Sequence, residues 1–346
     1  PARSRSRRSR KDVEPTVSLH TLSRQQLADH PMLSRVAHDI YWLARYIERA
    51  ENTARVVTVN ANLLLDLPKG IAPGWRPLVD ITGANALFEE HYKDYGERQV
   101  VRFLLGDERH AGSIMSALAG ARENCRTIRD IVPREAWEQI NGLYLFAGEQ
   151  LQKGMTKTGR HAYLRALISG CQTIAGLLDG TMLHDQGYEF LRLGRFLERA
   201  DMTTRIADVR SASLLPDAEE LRPYDTIQWV SVLKSMTAYQ MYRRSEQIRV
   251  QRAPVLRFIF QSPLFPRSVR YCIEHARISL ERLPRNEAAL RVTGRLARAL
   301  DGAELARLSQ VELHAFVDDL QLGIGELHTE VAETWFPPPL HIEQAA

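Results

Sequence analysis

The sequence predicts an all-α fold, built as two diverged helical-bundle repeats that are related by a pseudo-twofold axis and share one core. Three observations predict it. From Leu33 onward, apolar residues recur at spacings of three and four, and strand-like alternation bounded by turn residues is scarce. A chain of 346 residues, 44% hydrophobic and 25% charged, can bury a sizeable core. A charged segment near the start of the chain also recurs 150 residues later.

The periodicity places helices over 34–65, 77–92, 97–105, 110–131, 133–153, 160–179, 186–210, 225–248, 253–261, 266–282, 286–301 and 308–333. Breakers set the cuts. Pro68-Lys-Gly-Ile-Ala-Pro73 ends the first long helix. Pro133 suits a helix start, where its missing N–H would go unsatisfied in any case, and Leu215-Pro216-Asp217 with Pro223 interrupts the second half. The expected organisation is a disordered basic tail (1–31), a first helical repeat (32–182), a second (183–336) and a flexible C-terminal tail (337–346).

The repeat lays Arg45-Tyr-Ile-Glu-Arg-Ala-Glu-Asn-Thr-Ala-Arg55 on Arg195-Phe-Leu-Glu-Arg-Ala-Asp-Met-Thr-Thr-Arg205. Arg45/Arg195, Glu48/Glu198, Arg49/Arg199, Ala50/Ala200, Thr53/Thr203 and Arg55/Arg205 are identical, and Tyr46/Phe196, Ile47/Leu197 and Glu51/Asp201 keep chemical type. A fainter echo at a shift of 155 pairs Arg102-Phe103 with Arg257-Phe258, Ser113 with Ser268, and Ala121-Arg122 with Ala276-Arg277. A period this long exceeds that of solenoid arrays, so two bundle-like halves are expected.

At 100° per residue, Leu43, Ile47, Ala50 and Ala54 share one helix face, and Arg45, Glu48, Arg49 and Asn52 share the opposite one. The copy does the same with Leu193, Leu197 and Ala200 against Arg195, Glu198 and Arg199. A charged face is ordinarily solvated, with i,i+3 and i,i+4 pairs adding only tenths of a kcal/mol. Here Tyr41, Trp42 and Tyr46 flank the stripe, and exposed pairs give no reason for the same types to recur at the same places. The expectation is that both faces turn inward and bring two Glu and four Arg to a polar centre with surplus guanidiniums. Such a centre fits a carboxylate, a phosphate or a partner, or serves as a structural lock. A secondary candidate is Arg122, Arg126 and Arg129, on one helical face.

At these residues the chain resembles the Alpha-E family. Met32-Leu-Ser-Arg-Val-Ala-His-Asp-Ile-Tyr-Trp-Leu-Ala-Arg-Tyr-Ile-Glu-Arg-Ala-Glu-Asn-Thr-Ala-Arg55 is similar to the family's opening segment. Ala121-Arg-Glu-Asn-Cys-Arg-Thr-Ile-Arg129 and Phe190-Leu-Arg-Leu-Gly-Arg-Phe-Leu-Glu-Arg199 resemble later ones. The likeness runs over about residues 32 to 336, and His110-Ala-Gly-Ser113 departs from an Asn-Pro-Asn-Ser-like turn found in many members. It implies a bacterial peptide-synthesis or tagging system, with an ATP-grasp ligase and a transglutaminase-like protein as partners. The functional expectation is therefore an accessory or substrate-binding component whose Glu/Arg centre takes an anionic group or partner. The alternatives are an enzyme acting on amides or amino acids with Glu48 or Glu198 as general base, and a purely structural assembly protein.

Other chemistries lack their residues. No Gly-rich run ends in Gly-Lys-Ser/Thr, no dinucleotide fingerprint occurs, and the 11 histidines show no HExxH spacing, so no cofactor or metal is expected. Cys125, Cys171 and Cys272 are odd in number and far apart, which suits a reducing cytoplasm; only Cys125, beside Arg126, has a neighbour that could favour its thiolate. No apolar run reaches the roughly 20 residues needed to span a bilayer, and no membrane association is expected. The net charge of +4 sits in the tail: residues 1–31 hold seven basic and three acidic groups of the chain's 46 and 42, leaving 39 of each elsewhere. Nucleic-acid binding is therefore not expected of the folded part.

Overall fold

A computed structural model describes residues 32–68, 72–212, 222–246 and 249–337. The expected basic tail, 1–31, lies outside these residues, as does the expected C-terminal tail apart from Pro337. Every described element is a helix, and there is no strand among the described residues.

The longest helix, α1 (Ser34–Asp66), is buried on nearly all sides through its middle. Its apolar stripe of Ile40, Leu43, Ile47, Ala50 and Ala54 is under 7% exposed, and so are Glu48, Glu51 and Asn52 on the other faces. A helix enclosed this way must be covered by several neighbours at once. Around it pack α5 (Ile114–Thr127) and α8 (Lys157–Thr181), and α6 (Arg134–Glu149) lies against both of these. The corresponding long helix of the second half, α9 (Gln186–Ala212), is flanked by α13 (Val269–Glu281) and α15 (Gln310–Trp335), with α14 (Glu287–Gly302) against both. The two groups meet where α1 packs along α9, and the buried apolar residues of both form one continuous cluster.

The α1–α9 approach is close enough to dictate a residue. A Cβ on Gly194 would stand 2.2 Å from the Tyr41 carbonyl oxygen on α1, so the two backbones touch at a position that only glycine fits. Short helices fill the remaining sides: α2 (Arg76–Thr82), α3 (Asn85–His91), α4 (Glu97–Gly106), α7 (Leu151–Met155), α10 (Arg222–Ser235), α11 (Tyr239–Glu246) and α12 (Arg252–Gln261). Of these, α10 packs on both α1 and α9, and α2 packs on α9. No described helix is long and apolar enough to cross a membrane.

The helix positions follow the apolar periodicity, and the differences have local causes. The helix expected over 77–92 is two, because Gly83 adopts a left-handed φ of 67° and ends α2. The one expected over 225–248 breaks after Ser235, where Thr237 holds a φ of 54°. The one over 133–153 is interrupted at Gln150. The helices expected from 110 and 266 begin later, at Ile114 and Val269, because Ser113 and Ser268 act as N-caps. Each hydroxyl accepts a hydrogen bond from a backbone N–H three residues on, at 3.1 Å. Ser309 and Glu312 form a reciprocal capping box at the start of α15.

Candidate functional site

The charged stripes of α1 and α9 face each other and exchange partners. Arg49 grips Glu198 with two bonds, Nε to Oε1 at 2.6 Å and a terminal nitrogen to Oε2 at 2.9 Å. In return, Arg199 grips Glu48 at 3.1 and 2.7 Å. Forked guanidinium–carboxylate pairs of this kind are the strong form of the interaction. Arg45 adds a third donor to Glu198 at 2.8 Å. Its guanidinium lies over the Trp42 ring, 4.8 Å from the centroid, which accounts for the aromatic flank.

Around Glu48 the pattern changes. Its third strong donor is Arg267, from the turn that precedes α13, at 2.6 Å, and Asn52 donates to it from one helical turn away at 3.3 Å. Arg267 also donates to the Asn52 carbonyl oxygen at 2.8 Å and to Glu51 at 2.7 Å. Glu51 in turn accepts from Arg55 and, at 3.3 Å, from Gln172 of α8.

Of the residues expected at the centre, six are brought into two carboxylate-centred clusters, Arg45 and Arg49 around Glu198, and Arg199 and Asn52 around Glu48. Arg195 is not. It is buried nearby, with its closest carboxylate, Asp179, at 3.9 Å. Both Glu48 oxygens are already taken, and Arg195 lies in the field of Arg199. Burial and that like charge push the Arg195 pKa down. Arg122, Arg126 and Arg129 do not join the centre either. Arg122 donates to Asn141 at 2.7 Å and lies over Trp137 and Tyr144, Arg126 pairs with Glu123 in solvent, and Arg129 lies over Trp137.

Arg267, Glu51, Arg55 and Gln172 carry little signal in the sequence. At a shift of 155, Arg267 falls opposite Gly112, so the repeat passes over it. Glu51 and Arg55 belong to the repeated segment, but their i,i+4 spacing suggests an ordinary surface pair, whereas their side chains are 4% and 9% exposed.

The electrostatics follow from burial against pairing. Burial would raise the Glu48 carboxyl, but Arg199 and Arg267 overcome it and hold it well below the usual carboxylate range. Arg49 and Arg45 do the same to Glu198. Burial raises the Tyr41 phenol to about 12 even though Arg45 opposes it. The phenol oxygen accepts from Arg45 at 3.3 Å and sits 2.9 Å from His328 Nδ1, whose imidazole burial and Arg45 lower to about 4. His110, beside Arg49, is also lowered to about 4, first by burial and then by that arginine; it stacks on Phe103, and its Nε2 is buried without a partner. Two ionised carboxylates, each saturated by donors, are poor proton acceptors.

The cysteines are all free and buried. Burial raises Cys125 to about 12 despite a basic neighbour, which is Arg129 rather than Arg126, so no thiolate is favoured there. Among the described residues, Asp208, His314 and Asp318 place possible ligand atoms within 4.8 Å of one another. The two nitrogens of His314 face different carboxylates, at 2.8 and 3.5 Å, so the imidazole bridges them, and its pKa is raised by Asp208.

Residues 32–336 match the model of Alpha-E, described as a predicted alpha-helical domain with a conserved ER motif. The chain belongs to the Alpha-E family. Among curated proteins it is similar to an uncharacterised protein of Mycobacterium bovis and to uncharacterised proteins of two strains of Mycobacterium tuberculosis. Each is 22% identical over 327 residues, which takes in 86% of this chain and 36% of the relative. The chain thus spans about a third of the length of the curated relatives it matches. No solved structure matches it. In this Alpha-E chain, Glu48-Arg49 and Glu198-Arg199 meet across the α1–α9 contact.

Proposed function

We propose that this Alpha-E chain is a noncatalytic, cytoplasmic accessory component of a bacterial peptide-synthesis or tagging system, working beside an ATP-grasp ligase and a transglutaminase-like protein. In this reading its Glu/Arg centre is a lock that keeps the two halves in register. The observation that carries it is the saturation of both central carboxylates: Glu48 and Glu198 are 4% and 1% exposed, each accepts at least three hydrogen bonds, and both are held ionised. A general base needs a free oxygen and a pKa near the working pH, and neither carboxylate has one. The partnership rests on the resemblance to the Alpha-E family alone.

The same reading takes residues 32–182 and 183–336 as two diverged copies about a pseudo-twofold axis. In its support are the identities at a shift of 150, the reciprocal Arg49–Glu198 and Arg199–Glu48 grips, and the Ser-capped starts of α5 and α13. A second role is assigned to Arg195, a buried guanidinium without a forked carboxylate, as the place where an anionic group would dock.

The test is co-purification of the full chain with an ATP-grasp ligase and a transglutaminase-like protein of the same organism, run beside Glu48→Gln and Glu198→Gln variants. The accessory reading expects a complex with the parent chain, and the lock expects each variant to melt markedly lower. Absence of any complex refutes the first. Turnover of an amide substrate that vanishes in variants with unchanged melting refutes both.

A further inference from the structure

Near the end of α9, a carboxylate meets a histidine and a second carboxylate from the N-terminal part of α15. His314 Nδ1 lies 2.8 Å from Asp208 Oδ1, and its Nε2 lies 3.5 Å from Asp318 Oδ2. His314 and Asp318 stand four residues apart on α15, so one turn of helix carries both on the same face. One possible ligand atom from each of the three residues lies within 4.8 Å of the other two. Asp208 is 106 residues from His314 in the chain, so no linear spacing marks the set.

An ion pair between His314 and Asp208 accounts for two of the three groups and leaves the third unexplained. Among the described residues, Asp318 has no partner besides the imidazole at 3.5 Å. Even with the ring protonated, two carboxylates beside one imidazolium leave a negative charge in excess, and like charges gathered at one place disfavour each other. The helix itself supplies no relief, because α15 contains no lysine or arginine. A divalent ion balances both carboxylates while the ring stays neutral. Access also fits an ion. Asp208 is largely buried, its side chain 13% exposed, and forms a fixed inner wall, whereas His314 and Asp318 stand open to solvent.

We propose that Asp208, His314 and Asp318 bind a divalent first-row transition ion of the Zn²⁺ class, which fastens the end of α9 to the start of α15. The donor set selects the class: one imidazole nitrogen with two carboxylate oxygens suits Zn²⁺ and its neighbours, whereas Cu⁺ prefers sulfur and Ca²⁺ takes oxygen alone. Bonds of about 2.0–2.2 Å hold the ligand atoms of a tetrahedral Zn²⁺ about 3.4 Å apart, so rotations of the exposed His314 and Asp318 side chains close the site. On binding, one imidazole nitrogen gives its lone pair to the ion, and the proton it carried leaves to solvent. Three protein ligands leave a fourth position to water. The inference stands apart from the reading of the Glu/Arg centre, since His314 and Asp318 take no part in it.

The experiment is isothermal titration of the chelator-stripped full chain with ZnCl₂, beside His314→Ala and Asp318→Asn. The parent should bind Zn²⁺, and each variant should lose at least about tenfold in affinity at this site. Both substitutions change exposed side chains, so without metal the variants should melt close to the parent. Zn²⁺ at a hundredfold excess over its dissociation constant should raise the melting temperature of the parent by roughly 5 °C and that of the variants by less. CaCl₂, titrated in the same way, should bind far more weakly. No binding of Zn²⁺, affinity unchanged in both variants, or Ca²⁺ binding as tight as that of Zn²⁺ and indifferent to His314→Ala would each overturn the proposal.

Discussion

Replacing Glu198 by Gln keeps the shape of the side chain and removes only its charge, so it asks how much the centre contributes to stability. Glu198 is 1% exposed and accepts three hydrogen bonds, from Arg45 and Arg49, at 2.6 to 2.9 Å. With Gln in its place, two buried guanidiniums lose their counter-charge, and the new amide NH₂ confronts N–H donors. Removing one partner of a buried pair costs about 3–5 kcal/mol, because the other charge is left without compensation. For a chain of this length, where about 1 kcal/mol moves the midpoint by about 2 °C, the melting temperature should drop by roughly 6–10 °C in differential scanning calorimetry. Adding Arg49→Met removes one of the orphaned cations, so the double variant should lose less than the sum of the single losses, by about 1–3 kcal/mol. Acid should imitate the substitution. The folded carboxyls of Glu48 and Glu198 titrate below the unfolded value of about 4.3, so their contribution is complete above that pH and is lost as pH falls through the lowered folded values. The variant should therefore show a shallower acid limb. A midpoint within about 1 °C of the parent, with additive single and double losses, would refute the reasoning.

His110 is lowered to about 4 in the fold, against about 6.5 when unfolded, so protonation favours unfolding. Stability should fall as pH drops from 6.5 towards 4, by up to about 3 kcal/mol, and urea titrations of His110→Phe, which keeps the stack on Phe103, should lose that dependence. Gly194→Ala should destabilise by at least about 1–3 kcal/mol in the same titrations, because the new methyl meets the α1 backbone at Tyr41; unchanged stability would mean that the helices are not in contact there. Cys125 and Cys272, raised to about 12 by burial, should react with a disulfide reagent only as fast as the chain opens, and rapid labelling of the folded protein would contradict their burial.

How much of this could be read in the residues depends on the range of the interaction. The helices came from a local period, and the α1–α9 pairing came from a motif repeated with its charges in place, because a stripe of Arg and Glu bordered by Tyr41, Trp42 and Tyr46 has no use for that border in water. The breaks at Gly83 and Thr237 depend on single φ values. Glycine tolerates the left-handed region and so hints at a break, whereas nothing in Thr237 announces it. The helix starts could have been sharper, since Ser113 and Ser268 occupy matching places in the fainter echo and both prove to be caps.

Arg267 marks the limit of repeat-based reasoning. Perfect twofold logic pairs Arg195 with Glu48 as Arg45 pairs with Glu198, but the second half carries arginine where the first has Gly112, and that arginine reaches Glu48, Asn52 and Glu51 together. Asn52 has Met202 as its counterpart, so only one side of the centre offers this second acceptor. The two Glu-Arg motifs therefore differ in that Arg267 and Asn52 serve Glu48 where Arg195 does not reach it, while the reciprocal grips of Arg49 and Arg199 are common to both. Arg195 thus stays largely buried outside both clusters, with its nearest carboxylate, Asp179, at 3.9 Å, and burial together with the charge of Arg199 lowers its pKa.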